Sequence, residues 1–417
     1  MHKLTTAAST IAAICLTTAP TCADKQVVKL TRSVLKSEME AKALGEYGSS
    51  MGTGKERPTC SDEPNLQWPQ FHSKSPLYLT LNVGVADEAH PGAIRQAELP
   101  MAFDQSADAK GDYDVLYVDL NRDGKFGEGE RIVGHRPTDA GPPYDKEIDF
   151  GVIAIPTGRP NGDTVYMALM LNVLPDTGDA CCDYCPGSVV EGEMQTPSGP
   201  RPVRIFDDSY DGSFTTYGQD TMVLGDATGL TLGRIVSIDG RFSTIDLAPD
   251  ASSITIAPYE GKLGKLKVEL RTKAGTQATT LGGTIRNNDL TLQADPKADS
   301  IQLPEGSYPD TRWDMECEAG DLVWRASALT APVKVVGDET TVFVVGDSLR
   351  MEVALSGSTA PGGTCEANFT IKGSSGEVYG NFTNHPKDGW RNTIITAKAI
   401  VKDASGKQVA GAARVPG

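Results

Sequence analysis

Five residues able to offer oxygen to a hard cation recur at fixed spacing in the segment Asp119-Leu-Asn121-Arg-Asp123-Gly124-Lys125-Phe-Gly127-Glu-Gly-Glu130. They are Asp119, Asn121, Asp123, Lys125 through its backbone, and Glu130. Gly124 stands where a sharp turn needs a residue that accepts positive φ. The segment fits the pattern D-x-[DN]-x-[DN]-G-x5-E at every position. Calcium takes six to eight oxygen ligands at about 2.3–2.6 Å. In such a loop Asp119, Asn121 and Asp123 serve at positions 1, 3 and 5, Lys125 offers its carbonyl, Gly127 a water, and Glu130 two oxygens. The spacing therefore predicts Ca2+ as a cofactor. The simpler alternative is a plain hairpin turn, because Asp-Gly is a favoured turn pair. A turn, however, does not require an acid at position 12.

The elements that must position this loop are strands. Helices flank an EF-hand proper. Here Tyr113-Asp-Val115-Leu-Tyr117-Val118 leads in and Arg131-Ile132-Val133-Gly134 leads out, rich in β-branched and aromatic residues. The expectation is a strand–loop–strand site that borrows the EF-hand loop to fix a sheet corner, not a sensor that opens a helix pair.

A second loop follows at an offset of 88 residues. Asp207, Ser209, Asp211-Gly212 and Phe214 fall on Asp119, Asn121, Asp123-Gly124 and Phe126, with Ser213 on Lys125. Ser209 is a weaker ligand than Asn121, and the closing acid, Asp220, arrives at position 14 instead of 12. The exits Arg131-Ile-Val-Gly134 and Met222-Val-Leu-Gly225 match, which predicts an internal repeat. Asp207, Ser209, Asp211, Ser213 and Asp220 form a second candidate metal site; a shared turn that has lost its ion is the competing reading.

The remaining chain reads as all-β, in tandem β-sandwich domains. Gly at 44 and Pro at 26 of 417 residues imply many turns. Leu77–Val83 and Ile148–Ile155 are strand-like, and Val165–Val173 is so continuously apolar that it predicts a central strand covered on both faces. Leu266-Lys-Val268-Glu-Leu270 alternates, so one face should meet a core and the other water.

Residues 1–23 resemble an export signal, with Lys3, a mildly apolar stretch to Leu16, and Thr21-Cys22-Ala23 before Asp24. This predicts a secreted, periplasmic or cell-surface protein; lipid attachment at Cys22 is the weaker alternative. No later stretch has the roughly 18 apolar residues of a membrane-spanning helix. The net charge of −16 grows by one negative unit when Lys3 leaves, which argues against nucleic acid and anionic membranes as partners.

The expected division is 24–65, a poorly ordered N-terminal segment; 66–175, a β-domain with the first loop; 176–202, a Cys/Gly/Pro-rich connection; 203–275, a second β-segment with the degenerate loop; 276–330, a carboxypeptidase-regulatory-like module; and 331–417, an immunoglobulin-like β-sandwich. Beyond the signal lie Cys60, Cys181, Cys182, Cys185, Cys317 and Cys365. In an oxidising compartment an even number suggests disulfides, with pairing open. Metal binding and redox-active thiols are the alternatives for Cys182-Asp-Tyr-Cys185.

The order of D-x-N-x-D-G loop, apolar strand, second Asp-Gly loop, and then Ile254-Thr-Ile-Ala-Pro-Tyr-Glu-Gly-Lys-Leu-Gly-Lys-Leu266, resembles a group of uncharacterised secreted bacterial proteins. In these, EF-hand-like calcium-loop β-domains precede carboxypeptidase-regulatory or immunoglobulin-like modules. Ile301-Gln-Leu303-Pro304-Glu-Gly306-Ser-Tyr308 is similar to an edge of the carboxypeptidase-regulatory kind, or a simple hairpin. The resemblance implies no activity.

Three functional classes remain. The first is a non-catalytic, calcium-stabilised protein with a structural or surface role, whose partner is a glycan or a cell-surface protein. The second is a carbohydrate-active hydrolase using an acidic pair. No H-E-x-x-H is present, and Gly48-Ser-Ser50-Met-Gly52 matches G-x-S-x-G without the strand–turn–helix context of a nucleophile elbow. The third is a sugar-binding module, for which Trp68, Trp313, Trp324 and Trp390 are candidate platforms, although tryptophan is more often buried in a core.

Overall fold

The computed structural model describes residues 25–45, 48–58, 60, 65–87, 89–90, 93–107, 112–137, 147–158, 163–173, 180–225, 229–271, 277–294, 298–319, 321–346, 349–357, 365–386, 393–394, 397–399 and 413–415. The expected signal at 1–23, with Cys22, lies outside them, as does Trp390. The chain is all-β, in mostly antiparallel sheets packed as sandwiches, with one short α-helix and one 3-10 turn among the described residues.

The N-terminal segment is built into the fold and is not a loose leader. It forms β1 (Gln26–Lys29), β2 (Thr31–Val34), α1 (Glu38–Ala43) and β3 (Ser49–Gly52). Each of these strands joins a different sheet, and each pairs with a strand more than 100 residues away in sequence. Ser37 caps α1, its hydroxyl accepting from the Glu40 N–H.

The first sandwich contains β4 (Leu77–Ala86), β5 (Ile94–Asp104), β6 (Val115–Val118), β7 (Arg131–Val133), β8 (Glu147–Pro156), β9 (Thr164–Val173) and β10 (Ala180–Pro186). One sheet runs β4-β5-β6-β7 and the other β3-β10-β9-β8. Leu81, Leu99, Phe103, Leu116, Met167 and Leu169 fill the space between them. As the apolar run predicts, β9 is central and covered on both sides: Met167, Leu169 and Leu171 face this core, while Ala168 faces another.

The second sandwich contains β11 (Ser188–Thr196), β12 (Gly199–Phe206), β13 (Thr221–Leu224), β14 (Leu230–Thr231), β15 (Ile235–Ile238), β16 (Arg241–Leu247) and β17 (Ser253–Pro258), completed by β1 and β2. Val190, Val203, Ile205, Val236 and Ile254 form its core. The 176–202 stretch, expected as a connection, thus supplies β10, β11 and the start of β12. Pro200 and Pro202 pair with β11 and lie beyond the last β12–β13 pair, Val203 with Leu224; on that side Pro202 needs no N–H, because its carbonyl accepts from Gly225 N at 2.8 Å. The two sandwiches meet through a small apolar seam of Leu35, Ala41, Ala168, Cys185, Val189, Phe206 and Val223.

The rest of the chain builds one further unit in place of the two modules expected at 276–330 and 331–417. Leu322–Leu329 pairs with Val378–Pro386 in a single large sheet, and Leu263–Leu270 runs parallel to Thr340–Val345. Leu266, Ile285, Tyr308, Trp313 and Val345 share one core. Of the alternating run, Leu266 is buried and Lys267 exposed, but Val268, Glu269 and Leu270 are all half-buried, so the expected two-faced pattern holds only at its start. Tyr308 is buried, and its hydroxyl donates to the Pro304 carbonyl at 2.7 Å, closing the Leu-Pro-Glu-Gly-Ser-Tyr segment. Among the described residues no helix is long and apolar enough to cross a membrane.

Candidate metal centres

Both loops are hairpin connections between antiparallel strands, β6 to β7 and β12 to β13. In the first, the Asp119 carboxylate receives the Asp123 N–H at 3.2 Å and the Gly124 N–H at 2.8 Å. Asn121 Oδ1 also accepts from Asp123 N, at 2.8 Å, and Asp123 Oδ1 accepts from Lys125 N at 2.9 Å. The 3-10 turn Glu128–Glu130 folds the closing acid back over the loop. Glu130 then accepts from Asn121 N at 3.1 Å and from Gly127 N at 2.7 Å.

The second loop repeats this circuit. Asp207 receives Asp211 N at 3.0 Å and Gly212 N at 2.8 Å. Asp211 Oδ1 accepts from Ser213 N at 2.7 Å, and Asp220 accepts from Ser209 N at 3.2 Å and Thr216 N at 2.8 Å. The backbones agree as well: Arg122 and Tyr210 have φ of 57° and 51°, and Gly124 and Gly212 have 76° and 79°. Left-handed backbone is costly for non-glycine residues, so its repetition at matching positions marks one loop design used twice. The late position of Asp220 is compensated locally. A turn, with Asp220 N donating to Thr216 O at 3.0 Å, absorbs the two extra residues and returns the shorter aspartate to the place Glu130 takes.

The loops differ in burial. In the first, Asp119 and Glu130 are buried while Asn121, Asp123 and Lys125 are exposed. In the second, Asp207, Asp211 and Asp220 are all buried, at 2%, 5% and 0% exposure. Burial pushes the Asp207 carboxyl up to about 7 and the Asp220 carboxyl up to about 8, and the Asp207 charge adds to the rise at Asp220. No lysine or arginine is among the main causes of either shift. Such a pocket of buried acids gains most from a bound cation.

Among the described residues no three His, Cys, Asp or Glu side chains form a ready-made metal-holding group. Calcium coordination also draws on amide, hydroxyl and carbonyl oxygens. Asn121, Ser209, Ser213 and the Lys125 carbonyl are of that kind. A carboxylate carries about four lone-pair sites, so one that accepts two N–H groups still has capacity for a cation. The donor types are those a hard ion takes, while the three carboxylates of each loop are not gathered into one cluster in this structure.

Sequence reading missed what surrounds each loop. Trp68 stacks on Phe126 of the first loop, with ring centroids 4.8 Å apart, and Gln67 N donates to the Gly124 carbonyl at 2.7 Å. Tyr210 of the second loop sits in the core of the first sandwich, and its carbonyl accepts from Gly84 N at 2.7 Å. Thr216 adds a bond from its hydroxyl to Asp211 at 3.0 Å. The repeated Phe126 and Phe214 were the only sequence hint that both loops dock inward.

The other candidates resolve differently. Cys60, Cys181, Cys182, Cys185 and Cys317 are present as thiols, and the side chain of Cys365 lies outside the described set. Cys182 and Cys185 lie three residues apart on one regular strand, facing opposite cores. Their Cα atoms are therefore about 10 Å apart by strand rise, beyond the reach of a disulfide at about 7 Å. A Cys182–Cys185 bond is excluded by this geometry, and both residues act as small apolar packing groups. Ser50 lies within β3, opposite Asp183, and not on an elbow. Trp313 is 1% exposed and Trp324 37% exposed, so only the latter presents a free surface.

Comparison of the chain with protein-family models, with curated proteins and with solved structures returns no match in any of the three.

Proposed function

We propose that this chain is a secreted, calcium-stabilised β-protein with a structural or binding role at a surface. Asp119, Asn121, Asp123, the Lys125 carbonyl and Glu130 would hold one ion. Asp207, Ser209, Asp211, Ser213 and Asp220 would hold a second. The observation that carries the reading is the shared hydrogen-bond circuit of the two loops, down to left-handed backbone at Arg122 and Tyr210.

Calcium would supply positive charge where the fold concentrates carboxylates and would fix each hairpin to the sheet below it. An ion that binds the folded chain alone stabilises it by about 1.4 kcal/mol at tenfold excess over its dissociation constant. The acids of the second loop do not suit hydrolysis. Asp207 and Asp220 are sealed from solvent and engaged by backbone N–H groups, so neither can meet a glycosidic oxygen. A glycan or a cell-surface protein remains the partner class, consistent with the acidic surface and the export-like N-terminus.

Calorimetric titration of the chain lacking residues 1–23 with calcium tests the reading. Two binding events and a raised melting temperature are expected. A melting temperature indifferent to chelator would remove its physical basis.

A further inference from the structure

Beside the second loop the structure holds a cavity of about 590 Å³. Small-molecule sites span roughly 300–1,000 Å³ and combine apolar surface with a few polar groups. Leu30, Val190 and Phe214 provide the apolar part of the lining. Gly212 and Ser213 of the loop form one wall, and the Asp250–Ser252 turn before β17 forms another.

Arg32 lies across this space. Its guanidinium carbon stands 5.0 Å from the Phe214 ring centroid and 5.4 Å from that of Tyr166, within cation–π range. Its Nη2 donates to the Thr164 carbonyl at 3.0 Å. A guanidinium held in this way has lost much of its rotamer freedom before any ligand arrives, and it carries five N–H donors, of which the Thr164 bond uses one. Asp250 brings an acceptor of fixed orientation, since its Oδ1 already receives the Ser252 N–H at 3.1 Å and hydroxyl at 2.7 Å. Ser213 adds a hydroxyl.

A fixed donor fork, a fixed carboxylate acceptor and a hydroxyl beside apolar surface match a ligand with adjacent hydroxyl groups and apolar C–H faces. The carboxylates in the lining and the net charge of −16 disfavour a polyanion. We infer that this cavity binds a neutral saccharide, and that the second loop, by setting the Gly212–Phe214 wall, makes the binding depend on its cation. Only the second half rests on the calcium reading. The link is direct: Gly212 N is held by Asp207 and Ser213 N by Asp211, both proposed ligands.

The test is calorimetry of the full secreted chain with cellohexaose, laminarihexaose and xylohexaose, with hexagalacturonate as the acidic comparison, in calcium and after chelation. At least one neutral oligomer should bind, and chelation should weaken it. Arg32→Ala and Asp250→Asn should each lower affinity about tenfold, equivalent to about 1.4 kcal/mol. Asp250→Asn should leave the calcium isotherm unchanged, because the Asp250 bonds run to Ser252 and not to the loop; Arg32 packs on Phe214 of the loop, so its variant carries no such expectation. Absence of binding by all three neutral oligomers, binding by the acidic oligomer alone, or affinity unchanged in both variants overturns the assignment. Saccharide binding that depends on Arg32 in a chain that takes up no calcium would uphold the cavity and refute the cation reading.

Discussion

Gly84 and Asp211 are packed so closely that a Cβ on Gly84 would stand 2.6 Å from both the Cα and the Cβ of Asp211. One lies near the C-terminal end of β4 in the first sandwich, the other in the Asp207–Asp220 loop of the second. The Gly84 N–H to Tyr210 carbonyl bond lies beside them. The second loop is therefore a joint between sandwiches, whereas the first closes a corner within one. Gly84→Ala should drive this joint apart. The expected loss is about 1–3 kcal/mol, the usual cost of overpacking, read as a lower midpoint in urea, with calcium affinity at the second loop reduced and that of the first unchanged.

Asp119→Asn and Asp207→Asn should separate the two sites. Each should remove one calorimetric event. Asp207→Asn should cost more stability in calcium than Asp119→Asn, because its loop is buried between sandwiches and the other is half exposed. Equal losses of melting temperature in the two variants would contradict this ordering.

Trp68 provides an optical reporter. Its ring stacks on Phe126 and meets Tyr78 edge-on at 5.1 Å, so a change in the first loop must alter its surroundings. Calcium should shift the tryptophan emission and sharpen the near-ultraviolet circular dichroism. Trp68→Phe should abolish the part of that signal that Asp119→Asn also abolishes. A calcium response that survives Trp68→Phe intact would place the change elsewhere.

Glu38 offers a test away from the loops. Burial raises its carboxyl above the ordinary value of 4.5, although the Lys42 ammonium 2.6 Å away works in the opposite direction. Lys42 itself is raised, so the two shifts do not both follow from the ion pair; burial prevails at the acid. Glu147, Asp149 and Asp183 are the other acids nearby. A carboxyl raised on folding favours the protonated state, so its contribution to stability falls as pH climbs above about 4.5. Glu38→Gln should therefore flatten the stability profile from that pH upward. A parallel profile would show that the ion pair, not burial, governs this site.

The strand–loop–strand form at 119–130 and the buried run at Val165–Val173 were legible because both are local patterns. The second loop was harder to read. Asp220 looks misplaced in sequence, and only the turn at Thr216–Asp220 shows how two extra residues return it to the same place. Strands β1 to β3 were illegible for a different reason. Four-residue strands have too little periodicity to declare themselves, and their partners lie far along the chain. The 176–202 stretch misled by composition, since prolines at unpaired strand edges look the same in sequence as prolines in a linker. Arg32 carried no signal, because its neighbours Tyr166 and Phe214 come from two other elements.

The placement of β1 bears on how the molecule comes into being. Val28 finds its partner in Ile254, so β1 must wait for a strand that follows 254 − 28 = 226 residues later. Until β17 has been made, the β1 edge stays open to other chains, and pairing at such separation is slow to form. Synthesis and delivery must therefore tolerate a long wait with an unpaired strand. A shortened chain ending before residue 253 should accumulate as aggregate rather than as a smaller soluble protein.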